Sequence, residues 1–354
     1  MYEREMYMKK IFLRHIVLCL TIFLLLISFC ACNLQSNVES DDSSQSSINT
    51  TDSETVLYYL EATSSDFAYT QLGKGDNGVA KQTLYNRMKE KAPFFHNGGL
   101  AKNKNVAFKV EYSDLGLSET DVFEVWMGFR DDNPIYYWIS NIYSYTENEL
   151  FVLVDDEYIL FKNRNKYNEK IYELLSKYIN MIDDKMSAYE IALLYHDEII
   201  KTVEYSYEAD GITPKDEPWA HNILGVLVKG RGVCESYART FQLLLNVSGI
   251  NNILVSGIAG DDETEMENHA WNLIMLDDGN WYWCDLTWDD VPESESGIQY
   301  NFFCVNDTQN VNGDDYYISP QKSFIDLHQP GVSIEEQPTY FIDLPERAIY
   351  PYIP

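Results

Sequence analysis

Gly230-Arg231-Gly232-Val233-Cys234-Glu235-Ser236-Tyr237-Ala238-Arg239-Thr240-Phe241-Gln242-Leu243-Leu244-Leu245 is the stretch on which the fold turns. Apolar positions 237, 238, 241, 244 and 245 recur at helical spacing and mark one face. Cys234 falls on that face, three residues before Tyr237 and in the first turn, and Gly249 is placed to stop the helix. The unpaired N–H groups and the dipole of a first turn favour a thiolate. The same N–H groups can hold a developing oxyanion. A core cysteine at a helix start would read no differently from this segment alone, so both readings stay open here.

Downstream, Asn268-His269-Ala270-Trp271-Asn272-Leu273-Ile274-Met275-Leu276 reads as a strand. Asp277-Asp278-Gly279 reads as a three-residue turn with glycine at the left-handed position, and Asn280 to Thr287 as the returning strand. If Leu276 faces Asn280, then Trp271 faces Asp285 and His269 faces Thr287. His269 and Asp285 then share one face as diagonal neighbours, within reach of each other. A two-residue turn would put them on opposite faces. A carboxylate so placed can fix the tautomer of an imidazole and stabilise its charged form.

A thiol at a helix start, a base on a strand and a carboxylate on the next strand follow in the order Cys234, His269, Asp285, at separations of 35 and 16 residues. The stretches G-V-C-E-S-Y-A-R-T-F, H-A-W-N-L-I and W-Y-W-C-D-L-T-W-D-D resemble the transglutaminase-like superfamily, as do H-N-I-L-G-V-L-V-K-G and Y-E-I-A-L-L-Y-H-D-E-I-I upstream. The resemblance spans about residues 186 to 305. It implies an α+β fold with a papain-like core, the Cys-bearing helix packed on an antiparallel sheet. It also implies that Cys234 is the nucleophile, His269 the general base and acid, and Asp285 the orienting residue. Members of the family attack an amide carbonyl and form a thioester, which an amine or water then resolves. Ser236 stands where bacterial members often carry glycine, and Cys284 where an apolar residue is usual. No glutamine precedes Cys234 to supply a second oxyanion donor; Tyr205 and Tyr207 are the candidates. No cofactor and no metal is expected.

Around this centre the chain divides into four parts. Lys9, Lys10 and Arg14 precede an apolar run, Ile16 to Phe29, too short for a comfortable membrane span. Ala31-Cys32 closes it in a form that resembles the bacterial lipobox. Residues 1–32 are thus expected to be a signal peptide with Cys32 as the lipid-modified first residue, an ordinary cleaved signal being the alternative. Residues 33–54, rich in Ser, Asp and Asn, bury too little to offset their ordering entropy and read as a flexible tether. Residues 55–183 form an accessory region of mixed, mainly helical character. Helices are expected over Val79–Ala92 and Tyr167–Ile182 and from a capped start at Ser118-Glu119-Thr120-Asp121, and a hairpin between Leu150–Val154 and Tyr158–Phe161. Residues 184–354 hold the transglutaminase-like domain and a C-terminal extension, opening on the capping box Ser187-Ala188-Tyr189-Glu190.

The 45% hydrophobic content, with 7 Trp, 27 Tyr and 16 Phe among 354 residues, supports a large core and excludes a disordered or fibrous class for the main part of the chain. A formal net charge of −30 repels a phosphate backbone, so nucleic acid is not an expected partner. Of six cysteines, Cys234, Cys284 and Cys304 lie in the folded part, an odd number that leaves at least one free thiol. Cys284 and Cys304 either pair or are small core residues. His196 reads as a structural histidine. His96, His221 and His328 sit in turn-like stretches without a recognisable site, and Asp289 and Asp290 read as a solvated strand end. The expectation is a thiol enzyme acting on protein or peptide amides at the outer face of a bacterial cytoplasmic membrane, held there by lipid, with a cell-wall component as a further partner. The rival is a catalytically silent binding module of the same fold for cell-wall or surface proteins.

Overall fold

The structure, a computed structural model, describes residues 60–102, 105–261, 266–291, 297–311, 322–332 and 343–354. The expected signal peptide, the lipid site Cys32, the tether and the first residues of the accessory region lie outside the described residues.

The accessory region begins with helices α1 (Phe67–Leu72) and α2 (Gly78–His96), followed by strand β1 (Val106–Glu111), helix α3 (Glu119–Asp132) and strands β2 (Ile139–Tyr145) and β3 (Glu149–Val154). The strands form an antiparallel sheet in the order β1-β3-β2. Ser118 and Asp121 close the expected capping box on α3. At the other end of α3, Asp132 accepts the N–H groups of Ala68 and Tyr69 and the hydroxyls of Ser65 and Tyr85, so it caps α1 from more than sixty residues away. Helix α2 continues through Pro93 to His96 rather than ending at Ala92.

The hairpin expected from Leu150 to Phe161 does not form. Glu149–Val154 finds both its partners in β1 and β2, and helix α4 (Phe161–Ile179) starts where the second strand was expected. The reason is Arg164, fully buried, whose guanidinium donates to the carbonyls of Tyr158, Ile159, Phe95 and Gly99. Those bonds bend the chain into a turn after Asp155 and tie the start of α4 to the end of α2.

Helix α5 (Ala188–Thr202) carries the expected Ser187–Glu190 capping box. A short strand, β4 (Glu204–Tyr205), pairs in parallel with β5 (Arg231–Gly232), and α6 (Cys234–Val247) follows directly. Gly249, at φ 70°, ends α6 as expected. Ser236 has a local role. Its hydroxyl donates to Asn222 O at 2.6 Å and accepts from the Val226 N–H at 2.9 Å, which holds the segment before β5 against α6. A Cβ on Gly225 or Gly232 would meet Ser236 at 2.6 Å, so these glycines make room for the hydroxyl.

Helix α6 packs on a five-stranded antiparallel sheet of order β10-β6-β7-β8-β9, formed by β6 (Asn252–Ala259), β7 (Glu267–Met275), β8 (Trp281–Cys284), β9 (Phe303–Val305) and β10 (His328–Pro330). The fold is α+β with a transglutaminase-like, papain-like core. The β7–β8 register is the expected one. Met275 pairs with Trp281 and Asn272 with Cys284, the turn closes on Leu276 and Asn280, and Gly279 has φ 79°. The returning strand is shorter than expected, because Asp285 caps a single helical turn, α7 (Leu286–Asp289), that replaces strand from Leu286 onward. Cys284 and Cys304 are free, buried thiols with Sγ atoms 3.8 Å apart.

One core cluster runs from Leu60 to Ala348 and includes side chains from both halves of the chain. A second fills the other face of the sheet, where Ile253, Val255, Trp271, Leu273 and Trp283 meet Phe302, Phe324 and Leu327. Among the described residues, no helix is long and apolar enough to cross a membrane.

Candidate active site

Cys234 is the first residue of α6, partly buried, with its side chain against Ala238, Leu254 and Ala270. His269 projects from β7, near enough to Cys234 and to Asp285 for both to raise the pKa of its imidazole. Its Nε2 donates to Asp285 Oδ2 at 2.7 Å. The three sequence-predicted site residues therefore lie together, and the hairpin register described above is what aligns the second and third.

The Asp285 carboxylate is 1% exposed and accepts four donors. Oδ1 takes the N–H groups of Thr287 and Trp288, as the cap of α7. Oδ2 takes His269 and, at 3.0 Å, Nε2 of His328. Burial alone would raise this carboxyl, but the His269 charge and these donors outweigh it and hold it well below the usual carboxylate range. For His269 the balance has the opposite sign. Burial pushes the imidazole down, while Asp285 and then Cys234 push it up, and it ends at about 10. At neutral pH the imidazole is positively charged between the Asp285 carboxylate and the Cys234 side chain.

Tyr205 completes the surroundings of Cys234. The parallel β4–β5 pair sets Tyr205 opposite Gly232, two residues before the thiol, and brings its hydroxyl near the Cys234 backbone N–H. Tyr207, the other oxyanion candidate, is 48% exposed and packs its ring on Tyr205 at 4.9 Å. Trp271 and Trp288 flank the His269 ring at 5.9 and 5.7 Å.

His328 was missed. Rather than sitting in a turn without a site, it is the last residue of a helix–strand junction, fully buried, and bonded to the site carboxylate. Asp289 and Asp290 are corrected as well, since Asp289 is buried and Asp290 half-buried, each on a protein partner. Asp289 is buried on His196 Nε2 at 3.2 Å and the Phe302 N–H, and Asp290 accepts the Tyr237 hydroxyl at 2.5 Å. Burial raises each of these carboxyls to about 6. His196 also faces Asp197. His96 is a buried neutral ring that accepts from Trp138 Nε1 and is lowered to about 3 by burial. His221 lies on Glu235 at 3.4 Å.

On spacing alone, the donor atoms of His269, Asp285 and His328, all within 4.8 Å of one another, could hold a cation. Their hydrogen bonds account for the cluster without one. Both Nε2 atoms are spent on a single carboxylate oxygen, and a cation would have to displace both protons.

The family model described as Transglutaminase-like superfamily matches residues 177–286, which contain Cys234, His269 and Asp285. These residues form a transglutaminase-like domain. Among solved structures, a transglutaminase is 15% identical over 42% of this chain and 42% of its own, with a TM-score of 0.29. A candidate cysteine protease from Cytophaga hutchinsonii is 22% identical over 38% of this chain and 40% of its own, with a TM-score of 0.24. A candidate protease from Parabacteroides distasonis is 14% identical over 41% of this chain and 30% of its own, with a TM-score of 0.25. The matches span less than half the length of each of these proteins, and likeness at such scores carries no argument about activity. No curated protein matches the chain. The transglutaminase-like match begins inside α4 and ends at Leu286, so it leaves out His328 and most of the accessory region.

Proposed function

We propose that the transglutaminase-like domain is a thiol enzyme acting on protein or peptide amides, with Cys234 as nucleophile, His269 as general base and acid, and Asp285 as the residue that orients His269. The observation that carries this reading is the chain of contacts from Cys234 through His269 to a carboxylate that is itself held by four donors.

In the proposed reaction the Cys234 sulfur, its proton passed to Nδ1 of His269, forms a bond to the amide carbon, and the carbonyl π pair moves onto oxygen. The first-turn N–H of Cys234 and the Tyr205 hydroxyl are the donors for that oxyanion. As the carbon–oxygen double bond re-forms, the C–N bond breaks, and His269 gives its Nδ1 proton to the departing amine. Water then enters and loses a proton to the now neutral His269. Collapse of the second tetrahedral species releases the carboxylic acid and leaves the Cys234 thiolate beside protonated His269, as at the start of the cycle. An amine in place of water would give a new amide. Hydrolysis is favoured here because water is always available and no amine site is evident in the sequence. With the export signal expected from residues 1–32, the proposed place of action is the outer surface of the cell, with the chain anchored through Cys32.

The test follows alkylation of each cysteine by iodoacetamide with peptide mapping, alongside trapping of a thioester by hydroxylamine on incubation with a mixed protein substrate. Fast alkylation at Cys234 that is lost in His269→Ala, with hydroxamate formed only when Cys234 is present, supports an enzyme. Cys234 alkylation that ignores His269 would return the domain to the silent binding reading.

A further inference from the structure

Asp285 has a second histidine that the match to the transglutaminase-like family does not include. His328 is fully buried at the junction of helix α8 (Phe324–Leu327) and β10, and its Nε2 lies 3.0 Å from the oxygen that also takes His269. Its other ring nitrogen faces Phe324 O at 3.2 Å. That carbonyl already accepts the backbone N–H of His328, which ends α8. The ring proton therefore belongs on Nε2, where its partner is a full negative charge.

A purely packing role does not explain the residue. The ring stacks on Phe324 at 4.0 Å and 9°, and lies 4.9 Å from Trp271 and 4.5 Å from Trp288. An apolar side chain would fill such a cage without the cost of burying two nitrogens. Only the bond to Asp285 offsets that cost. Burial, with the nearby His269 charge, outweighs the pull of the Asp285 carboxylate and holds His328 below the ordinary imidazole value.

We infer that His328 is a positioning residue: by donating to Asp285 Oδ2, the oxygen that also takes His269, it locks the carboxylate in the rotamer that aims His269 at Cys234. This rests on the proposed triad. With Oδ1 tied to α7 by two N–H groups, Oδ2 takes His269 and His328. Without His328 the second oxygen can swing, and His269 swings with it.

The experiment uses the full-length protein and the iodoacetamide rate at Cys234, pH 7, in wild type, His269→Ala, His328→Phe and His328→Gln. Phenylalanine keeps the ring packing and removes the donor, whereas glutamine restores an N–H near the position of Nε2. The expected result is an alkylation rate about tenfold lower in His328→Phe, the worth of one charge-assisted hydrogen bond, with most of the rate regained in His328→Gln. A wild-type rate in His328→Phe, with His269→Ala slow, overturns the role of His328 and leaves the triad standing. Equal slowness in His328→Phe and His328→Gln also overturns it, since packing and not donation would then matter. If His269→Ala itself is fast, the triad falls and His328 with it. Should His328→Phe fail to fold, nitrogen NMR of the wild-type histidines decides the matter. The proton on Nε2 of His328 is expected, and a proton on Nδ1 alone would refute the assignment.

Discussion

At Asp285 a single carboxylate both orients a base and starts a helical turn, and the two tasks fall on different oxygens. Asp285→Asn separates them. The amide oxygen can still cap α7, but the amide nitrogen is a donor where His269 also donates, which forces the wrong tautomer. The Cys234 alkylation rate is expected to drop by about a hundredfold or more, with a lower melting temperature as well, because the change removes the negative partner of a buried charged imidazole. The same pair sets a pH dependence of stability. His269 is raised from 6.5 to about 10 in the folded protein, so its contribution is complete below about pH 6.5 and is lost as pH climbs towards 10. Asp285 is depressed below 3.8, so its contribution is present above that value and is lost as pH falls further. Thermal melts from pH 6 to 10 should show a decline in wild type that is largely absent in His269→Gln; parallel declines in the two would refute the pairing. Cys234, His269 and Asp285 were legible because residue type, order and spacing are local properties, joined by a turn whose glycine announced its own geometry. His328 was not, because it reaches Asp285 across 43 residues of chain and no motif near it points there.

Strand β10 delivers His328, and Gly257 is what admits β10. Gly257 pairs with Pro330 on one side and His269 on the other, and a Cβ there would lie 2.2 Å from Gln329 O and 2.7 Å from Trp271. Gly257→Ala is therefore expected to push β10 off the sheet edge, at roughly 2 kcal/mol by denaturant titration, and to slow Cys234 alkylation as His328→Phe does. A variant that melts normally and alkylates normally would show that β10 can shift without harm. The nucleophile helix has a comparable dependence on the accessory region. Arg239 of α6 bonds Asp131 at the end of α3 and Glu235 beside the thiol, at 3.0 and 2.9 Å. Burial would raise the Glu235 carboxyl, but Arg239 and His221 outweigh it and hold it low. Arg239→Met strands the buried Asp131 carboxylate and removes one of the cations around the half-buried Glu235, which keeps His221, and should cost about 3 kcal/mol in a urea titration. Elements with a strong local period, such as α5 and α6, read correctly from sequence. The false hairpin after Val154 shows the limit. Tyr158 to Phe161 has strand-like residues, but the carbonyls around it are claimed by Arg164, a long-range partner that periodicity does not reveal.

Over the whole molecule, the accessory region and the transglutaminase-like domain share one hydrophobic cluster, with Trp126 and Trp138 in the same body as Tyr237 and Phe241. Folding should accordingly be cooperative across residue 184, where the sequence suggests a boundary, and calorimetry should give a single transition. Two resolved transitions would mean that the shared cluster contributes little. Mapping of thiols in the native state should find Cys234 modified and Cys284 and Cys304 protected until the chain unfolds, since both are buried between β8 and β9. The junction of α8 and β10 bears also on the order in which the protein is made. A nascent chain that has left the ribosome as far as Trp288 already contains the thiol, the base and the acid, but not the second imidazole on that acid. If His328 acts as inferred, the reagent matures only some forty residues of translation later, and the proteins around an unfinished chain are spared its full reactivity.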